Sequence, residues 1–316
     1  MRTGRIVSAG SVNLDHSARV PSIAKPGETL LAESVLTSAG GKSFNQAVAA
    51  RLLGGEVELV AMVGDDSAGR AVLDDLRELG IGADRVLVSR EVPTGSAFIS
   101  VDAAGENAIV VAQGANARLT ATDEVVAAVS EADVVLLALE VPLGTVAACA
   151  RAGAANGAKV VLNLSPYQRV PAELLHDCFV VIVNDHELTN LLSDNGSINV
   201  AGNWAETAAT LQYMGVDRAI VTLGARGSVL FERGEYTRVP AVPITPVDTT
   251  GSGDAFAGAV GYALSRGLDL VDAVRLGSEV GALAATRPGA RSSYPTLREL
   301  EVWRCVPNAW TVPYRQ

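Results

Sequence analysis

Asp248-Thr249-Thr250-Gly251-Ser252-Gly253-Asp254-Ala255-Phe256-Ala257-Gly258 sets a run of small residues and a carboxylate where a helix begins. A helix N-terminus presents unpaired backbone N–H groups and the positive end of the macrodipole. Glycines at 251 and 253 let an anion approach that backbone with no Cβ in the way, and Asp254 then stands beside it as a base. Taken alone, the same residues also describe an N-cap aspartate after a flexible turn. A second stretch in the N-terminal half bears on which reading holds.

That stretch is Gly40-Gly41-Lys42-Ser43-Phe44-Asn45-Gln46-Ala47, which ends a loop and opens an apolar helix running to about Leu53. It is not a Walker A loop, which needs glycine five residues before Gly41, where Leu36 stands. Among 25 basic residues only Lys25, Lys42 and Lys159 are lysine, so a compact ammonium at position 42 is a departure from the arginine-rich composition. Upstream, Asn13-Leu14-Asp15 follows the apolar run Ile6 to Gly10, placing a carboxamide and a carboxylate at the end of an expected first strand. In open α/β sheets ligands bind at the carboxyl ends of the strands.

Apolar runs alternate with helical patterns along the chain: Val57–Val63 then Ala68–Leu79, Val134–Leu139 then Val141–Ala155, Val160–Leu164, Val180–Val183 then Glu187–Leu192, and Ala219–Leu223. Continuous β-branched runs between amphipathic helices predict a doubly wound α/β fold, a largely parallel sheet covered on both faces. Two stretches break the rhythm. His16–Thr37 and Pro93–Gln113 read as short alternating strands with turns at Pro26-Gly27 and Ala104-Gly105. The tail Trp303–Gln316 fits no such pattern.

At 316 residues and 48% hydrophobic content the chain buries a sizeable core in one large domain, 1–316. A formal net charge of −10 argues against nonspecific nucleic-acid binding, which draws on a basic surface to release counterions. Anionic ligands must therefore be met locally. Cys149, Cys178 and Cys305 form no C-x-x-C pair and no metal-ligand spacing, which suits bystander thiols in a reducing compartment. No apolar run approaches the ~20 residues of a membrane helix, and no signal-peptide core stands at the N-terminus, so a cytoplasmic location away from the membrane is expected.

The two motifs and the α/β rhythm resemble the ribokinase-like (PfkB) family of carbohydrate kinases over nearly the whole chain. D-T-x-G-x-G-D is kept at Asp248 to Asp254 and G-G-K-x-x-N-x-A at Gly40 to Ala47. Ser11 to Asp15, Pro26-Gly27-Glu28-Thr29, Gly64-Asp65-Asp66, Gly105-Glu106-Asn107 and Gly114-Ala115-Asn116 stand in the order found in its ribokinase branch. The resemblance implies ATP-dependent phosphorylation of D-ribose at the 5-hydroxyl. It implies Asp254 as base, with the amides of Gly251, Ser252 and Gly253 as an anion hole, and a sugar site made from Asn13, Leu14, Asp15, Gly41, Lys42, Ser43, Phe44, Asn45 and Glu140. Asn184-Asp185-His186-Glu187 is similar to the N-x-x-E motif, in which Asn184 and Glu187 help hold Mg²⁺ and order the phosphates. Thr222, Leu223, Gly224, Ala225, Arg226 and Gly227 resemble the nucleotide loop, with Gly253 at the phosphates and Ser278 near the adenine. Asp248, Thr250, Ala284, Arg287, Gly289 and Ser293 match the positions that bind a monovalent cation, K⁺, mainly through carbonyls.

The same resemblance implies that about 16–37 and 93–113 come together as a small β lid over the sugar, clasped to the lid of a second subunit in a homodimer. Open beside this reading stand a kinase of the family acting on another sugar, deoxyribose or a nucleoside, to which Ser43-Phe44 would fit a reshaped pocket, and a sugar-sensing protein without turnover. A nicotinamide-dependent oxidoreductase lacks G-x-G-x-x-G after the first strand.

Overall fold

The computed structural model describes residues 4–102, 107–195 and 203–305. In chain order its elements are β1 (Arg5–Ala9), β2 (Asn13–Arg19), β3 (Ser34–Gly40), α1 (Lys42–Leu52), β4 (Glu56–Gly64), α2 (Ser67–Leu79), β5 (Val86–Ser89), β6 (Gly95–Val101) and β7 (Asn107–Ala112). There follow α3 (Asp123–Ser130), β8 (Val134–Ala138), α4 (Leu143–Ala155), β9 (Lys159–Asn163), α5 (Ala172–His176), β10 (Val180–Asn184), α6 (Asp185–Asp194), α7 (Trp204–Tyr213) and β11 (Arg218–Thr222). The last are β12 (Ser228–Glu232), β13 (Glu235–Val239), α8 (Ser252–Ser265), α9 (Leu270–Ala285) and α10 (Leu297–Arg304).

Nine strands form one sheet in the order β13-β12-β11-β10-β9-β8-β1-β4-β5, parallel from β11 to β5 with an antiparallel edge made by β12 and β13. Strand alternation sends Ile6, Val134 and Leu136 to one core and Val7, Val135 and Leu137 to another, because successive side chains leave opposite faces. Helices α1, α2, α8, α9 and α10 close the first core, and α3 to α7 the second. This is the doubly wound arrangement that the unbroken apolar strands predict.

The packing of α8 sets up the site. Its first eleven residues after the N-terminal turn include Ala255, Ala257, Gly258, Ala259, Gly261 and Ala263, all buried. A Cβ at Gly258 would collide with the Gln46 carbonyl of α1. Small residues thus let the two helices lie against each other, bringing their N-termini to one place.

The two stretches that broke the α/β rhythm meet in a second sheet of four strands, β3-β2-β6-β7, with β2 and β6 parallel. Asn13-Leu14-Asp15 therefore opens β2 of this small sheet, directly after the three-residue connection 10–12 that follows β1, instead of ending β1 itself. The turn at Ala104-Gly105, the motif residues Gly105 and Glu106, and the tail from 306 lie outside the described residues. Trp303 and Arg304, read as tail from the sequence, close helix α10, whose capping box at Thr296 and Glu299 starts it. No helix among the described residues is long and apolar enough to cross a membrane.

Candidate active site

Where α1 and α8 begin, a group of charged side chains converges. Asp254, 7% exposed, takes a hydrogen bond from the Asn45 carboxamide nitrogen to Oδ2 at 3.1 Å and one from Gln46 to Oδ1 at 3.2 Å. Each oxygen of the carboxylate is thus held by an amide donor from α1. Burial, the largest influence, and then Glu140 keep the Asp254 carboxyl above the usual carboxylate range, against the opposing pull of Lys42, Asn45 and Gln46. Burial pulls the Lys42 ammonium down, but Asp254, Glu140 and Glu187 together outweigh it, so Lys42 stays a firm cation.

Asp15 stands on β2 facing the same charges. Burial first, then Glu140 and Asp254, push its carboxyl from 3.8 to about 7. Its Oδ1 is buried with no hydrogen-bond partner, as are Asn45 Oδ1 and Gln46 Oε1. Such unpaired acceptors are rare in folded proteins and each costs about 1–3 kcal/mol. Three acceptors at one place without donors suit a ligand rich in hydroxyl groups. Glu140, at the exit of β8, accepts from the Ser11 hydroxyl at 2.6 Å and from the Lys42 amide at 3.2 Å, both on Oε2. Asn13, 3% exposed, is fixed through Oδ1 by Asn116, whose own carboxamide clasps the Val12 backbone at both ends.

Helix α8 starts without a side-chain cap, after Gly251 in the left-handed region at φ 74°. The Ser252 amide turns back to the Thr249 carbonyl at 3.1 Å, while the amides of Gly251 and Gly253 meet no acceptor among the described residues. The open amides of this turn among the described residues are therefore those of Gly251, Gly253 and Asp254, and Ser252 brings a buried, unpartnered hydroxyl in place of its amide.

The turn is braced from behind. Asp248 accepts from the Thr250 amide at 2.9 Å on one oxygen and from the Gly289 amide at 2.8 Å on the other, which, against the cost of burial, holds its carboxyl below the usual range. The Ala285 carbonyl takes the amides of Val247 and Asp248 at 2.8 and 3.2 Å. Ala284 receives Arg287 N–H at 3.1 Å, Arg287 pairs with Glu299, and Ser293 donates to the Ala290 carbonyl at 2.7 Å. Thr250 Oγ1 is buried and unpaired beside Asp248.

On the other side, β10 and β11 end together, Asn184 opposite Thr222. Asn184 and Glu187 form a full capping box at the start of α6, with Glu187 Oε2 accepting the Asn184 amide at 2.8 Å. The turn Thr222 to Gly227 follows, Leu223 N–H meeting the Gly227 carbonyl at 2.8 Å and Arg226 pairing with Asp185 at 2.6 Å. Ser278, on α9, donates its hydroxyl to the Val274 carbonyl at 2.9 Å.

Three of the expected sugar residues turn their side chains elsewhere. Ser43 and Phe44 are wholly buried: Ser43 bonds the Ala9 carbonyl, and Phe44 packs in the core under the Arg291 guanidinium, 5.9 Å from the ring centre. Neither side chain has exposed surface. Leu14 leaves β2 on the face opposite Asn13 and Asp15, so its backbone alone is within their neighbourhood. The sequence reading left out Ser11, Gln46, Asn116 and Tyr294, whose hydroxyl bonds the Gly251 carbonyl. Gln46 and Asn116 stand inside motifs quoted above; Tyr294 carries no local signal.

The sequence profile of the pfkB family carbohydrate kinases matches residues 3–297. The chain is 34% identical to the ribokinase of Haemophilus influenzae over 294 residues, covering 92% of this chain and 95% of that one. It is 32% identical to the Bacillus subtilis ribokinase over the same length, 92% and 96%. Among solved structures, the Thermotoga maritima ribokinase superposes with a TM-score of 0.86 at 32% identity, covering 96% of this chain and 99% of that one. The Arabidopsis thaliana ribokinase complexed with ribose and ATP gives 0.87 at 28% identity, covering 97% and 100%.

Proposed function

The chain belongs to the pfkB family of carbohydrate kinases, and on that premise we propose that it transfers the γ-phosphoryl group of ATP to the 5-hydroxyl of D-ribose, giving ribose 5-phosphate and ADP. The observation that carries the acceptor is the set of unpaired buried oxygens on Asp15, Asn45 and Gln46. A pentose brings a ring of hydroxyl donors to them, and an analogue lacking one hydroxyl leaves an acceptor unpaired. The ribokinase relatives support the same acceptor.

In this mechanism Asp15, Asn13, Asn45, Lys42 and Glu140, with the Gly41 backbone, bind and orient the sugar. Asp254, held by Asn45 and Gln46, accepts the proton of the 5-hydroxyl as its oxygen bonds to the γ-phosphorus, and the bond to the bridging oxygen breaks to release ADP. A raised carboxyl is a better-matched base near neutral pH than an ordinary aspartate. The Gly251 and Gly253 amides and Lys42 stabilise charge on the phosphoryl oxygens, and positioning supplies most of the rate. Thr222 to Gly227 and Ser278 line the nucleotide.

Glu187 and Asn184 would hold Mg²⁺, which supplies charge neutralisation on the phosphates; their capping box fits a largely hydrated ion, since one buried carboxylate beside Lys42 is enough. Asp248, Thr250 and the carbonyls of the 284–293 loop would hold K⁺, and the unpaired Thr250 Oγ1 fits a cation ligand there. The small sheet would serve as the lid. Its face opposite Asp15 exposes Val35, Phe98 and Val110, with Phe98 directly across from Val110, a surface suited to a second copy of the chain in a homodimer. The three free cysteines suit a cytoplasmic setting.

A coupled ADP-release assay over pentoses, hexoses and nucleosides, in potassium and in tetramethylammonium at equal ionic strength, tests this reading. Ribose should give the highest kcat/KM and potassium a clear activation. A hexose or nucleoside in first place would overturn the acceptor, and equal rates in both salts the cation.

A further inference from the structure

The segment between α9 and α10 reaches the start of α8 through one side chain. Tyr294 is 4% exposed, and its hydroxyl donates to the Gly251 carbonyl at 2.9 Å. That carbonyl also accepts the Ala255 amide at 2.9 Å, the first bond of the helix. Both lone pairs are therefore engaged, and the peptide joining Gly251 to Ser252 is fixed from two sides. Gly251 sits at φ 74°, and a Cβ there would come 2.6 Å from the Tyr294 hydroxyl. The phenol occupies the space that the glycine leaves open.

The same segment has two other footholds. Gly289 N–H binds Asp248 at 2.8 Å, and Arg291 pairs with Asp75 of α2 at 3.0 Å while lying over Phe44. These hold the segment against the body of the protein, so Tyr294 extends from a fixed base. Its hydroxyl also keeps its proton, because burial and then Asp254 and Asp15 raise its pKa well above that of an ordinary tyrosine.

We propose that Tyr294 is a positioning residue for phosphoryl transfer, its hydroxyl holding the Gly251–Ser252 peptide so that the open amides of Gly251 and Gly253 point at the transferring group. The proposal rests on the phosphoryl-transfer reading above and deepens it: the turn's aim is set by a residue 43 positions away in sequence. Removing the hydroxyl leaves the Ala255 bond and the ring's volume intact, so the helix still starts. What is lost is the second restraint on the carbonyl, while the Ser252 amide's bond to Thr249 remains on the other edge of the peptide. A donor that drifts by about an ångström costs on the order of 10-fold to 10²-fold in rate.

Tyr294→Phe should therefore lower kcat about 10-fold or more, leave the sugar and ATP KM values within about threefold, and keep the melting temperature near that of the wild type. A kcat within twofold of wild type overturns the proposal, as does a fall in kcat that only follows a lowered melting temperature. ADP binding with and without aluminium fluoride, which imitates the planar transferring phosphoryl group, reads the same turn without an acceptor sugar. The variant should lose most of the fluoride-dependent tightening while binding ADP alone normally; full tightening in the variant overturns the proposal. Wild-type tightening together with no turnover of ribose would fault the substrate reading alone.

Discussion

Helices α1 and α8 lie side by side, and each begins after a glycine in the left-handed region, Gly41 at φ 92° and Gly251 at φ 74°, with no side-chain cap. Their first turns are then treated differently. At α1 the protein fills the donor site itself: Glu140 reaches across from β8 and accepts the Lys42 amide. At α8 the amides of Gly251 and Gly253 are left open. By contrast α2, α3, α6, α7, α9 and α10 each receive a side-chain cap, from Asp66, Thr122, Asn184, Asn203, Asp269 and Thr296. Helices α4 and α5, which start after Pro142 and Pro171, have no side-chain cap either, so an uncapped start alone does not mark a site; at α8 it coincides with a buried carboxylate. In the proposed mechanism the α8 start, left open beside the buried Asp254, receives the anionic phosphoryl group, while the α1 start holds Glu140 in place for the neutral sugar.

The largest effect should come from the base at the open start. Asp254→Asn keeps the shape of the side chain but cannot take the hydroxyl proton, and kcat should fall at least ~10²–10⁴-fold with sugar binding retained. Titration calorimetry with ribose separates the two quantities. Turnover within tenfold of wild type would remove Asp254 as the base and with it the contrast between the helices.

The two glycines test the comparison directly. Gly251→Ala forces a Cβ against the Tyr294 hydroxyl at 2.6 Å and the Ala290 Cβ at 2.8 Å, and should reduce kcat on the order of 10²-fold. Gly41→Ala would press on the Ser11 carbonyl and Val12 Cα at 2.9 Å and on the Asn13 amide at 3.0 Å, displacing the strand that carries Asn13 and Asp15. Its main effect should be a rise in sugar KM. If both variants change the same parameter, the division of labour between the two starts is wrong.

A smaller effect follows from Asp15, whose carboxyl rises from 3.8 to about 7 in the folded protein through burial, then Glu140 and Asp254. An ionised Asp15 accepts hydroxyl bonds, so sugar KM should rise as pH falls below about 7, and Asp15→Asn should flatten that profile while raising KM throughout. The stability effect runs the other way. Between 3.8 and about 7 the folded state keeps a proton that the unfolded chain has lost, so the sugar-free protein loses stability from this group as pH rises across that window. A melting temperature that climbs with pH there, specifically in the wild type and not in Asp15→Asn, would contradict the assignment.

The fold was legible because the strands are continuous apolar runs that only a sheet covered on both faces can bury, as Ile6 and Val7 facing different cores illustrate. The carboxylate and the uncapped turn beside it were legible because glycine, serine and aspartate at fixed spacing act through local backbone geometry. Partnerships across the chain were not. Nothing around Glu140 signals Ser11, 129 positions away, and nothing around Tyr294 signals Gly251. The packing of Phe44 was hidden for the same reason: helix geometry turns its ring into the core beneath Arg291. Spacing along a chain fixes what an element presents locally; which distant element it meets depends on tertiary packing.

The smallest prediction concerns an ordinary cap. Asp269 is exposed and starts α9 by accepting the Asp272 amide at 2.9 Å. Its helix runs 16 residues toward Ala285, so about 24 Å of helix separates this cap from the loop that braces the α8 turn. Asp269→Ala should remove about 0.5–2 kcal/mol of stability. Across a domain of this size that lowers the melting temperature by about 1–3 °C. Because the lost acceptor served one of the helix's own amides and no ligand, kcat and both KM values should stay within experimental error of wild type. Calorimetry and steady-state kinetics on the same preparation check both halves. A clear loss of kcat in Asp269→Ala would mean that stability at the far end of α9 is transmitted to the turn, and that side-chain-capped and glycine-capped starts do not divide structure from catalysis.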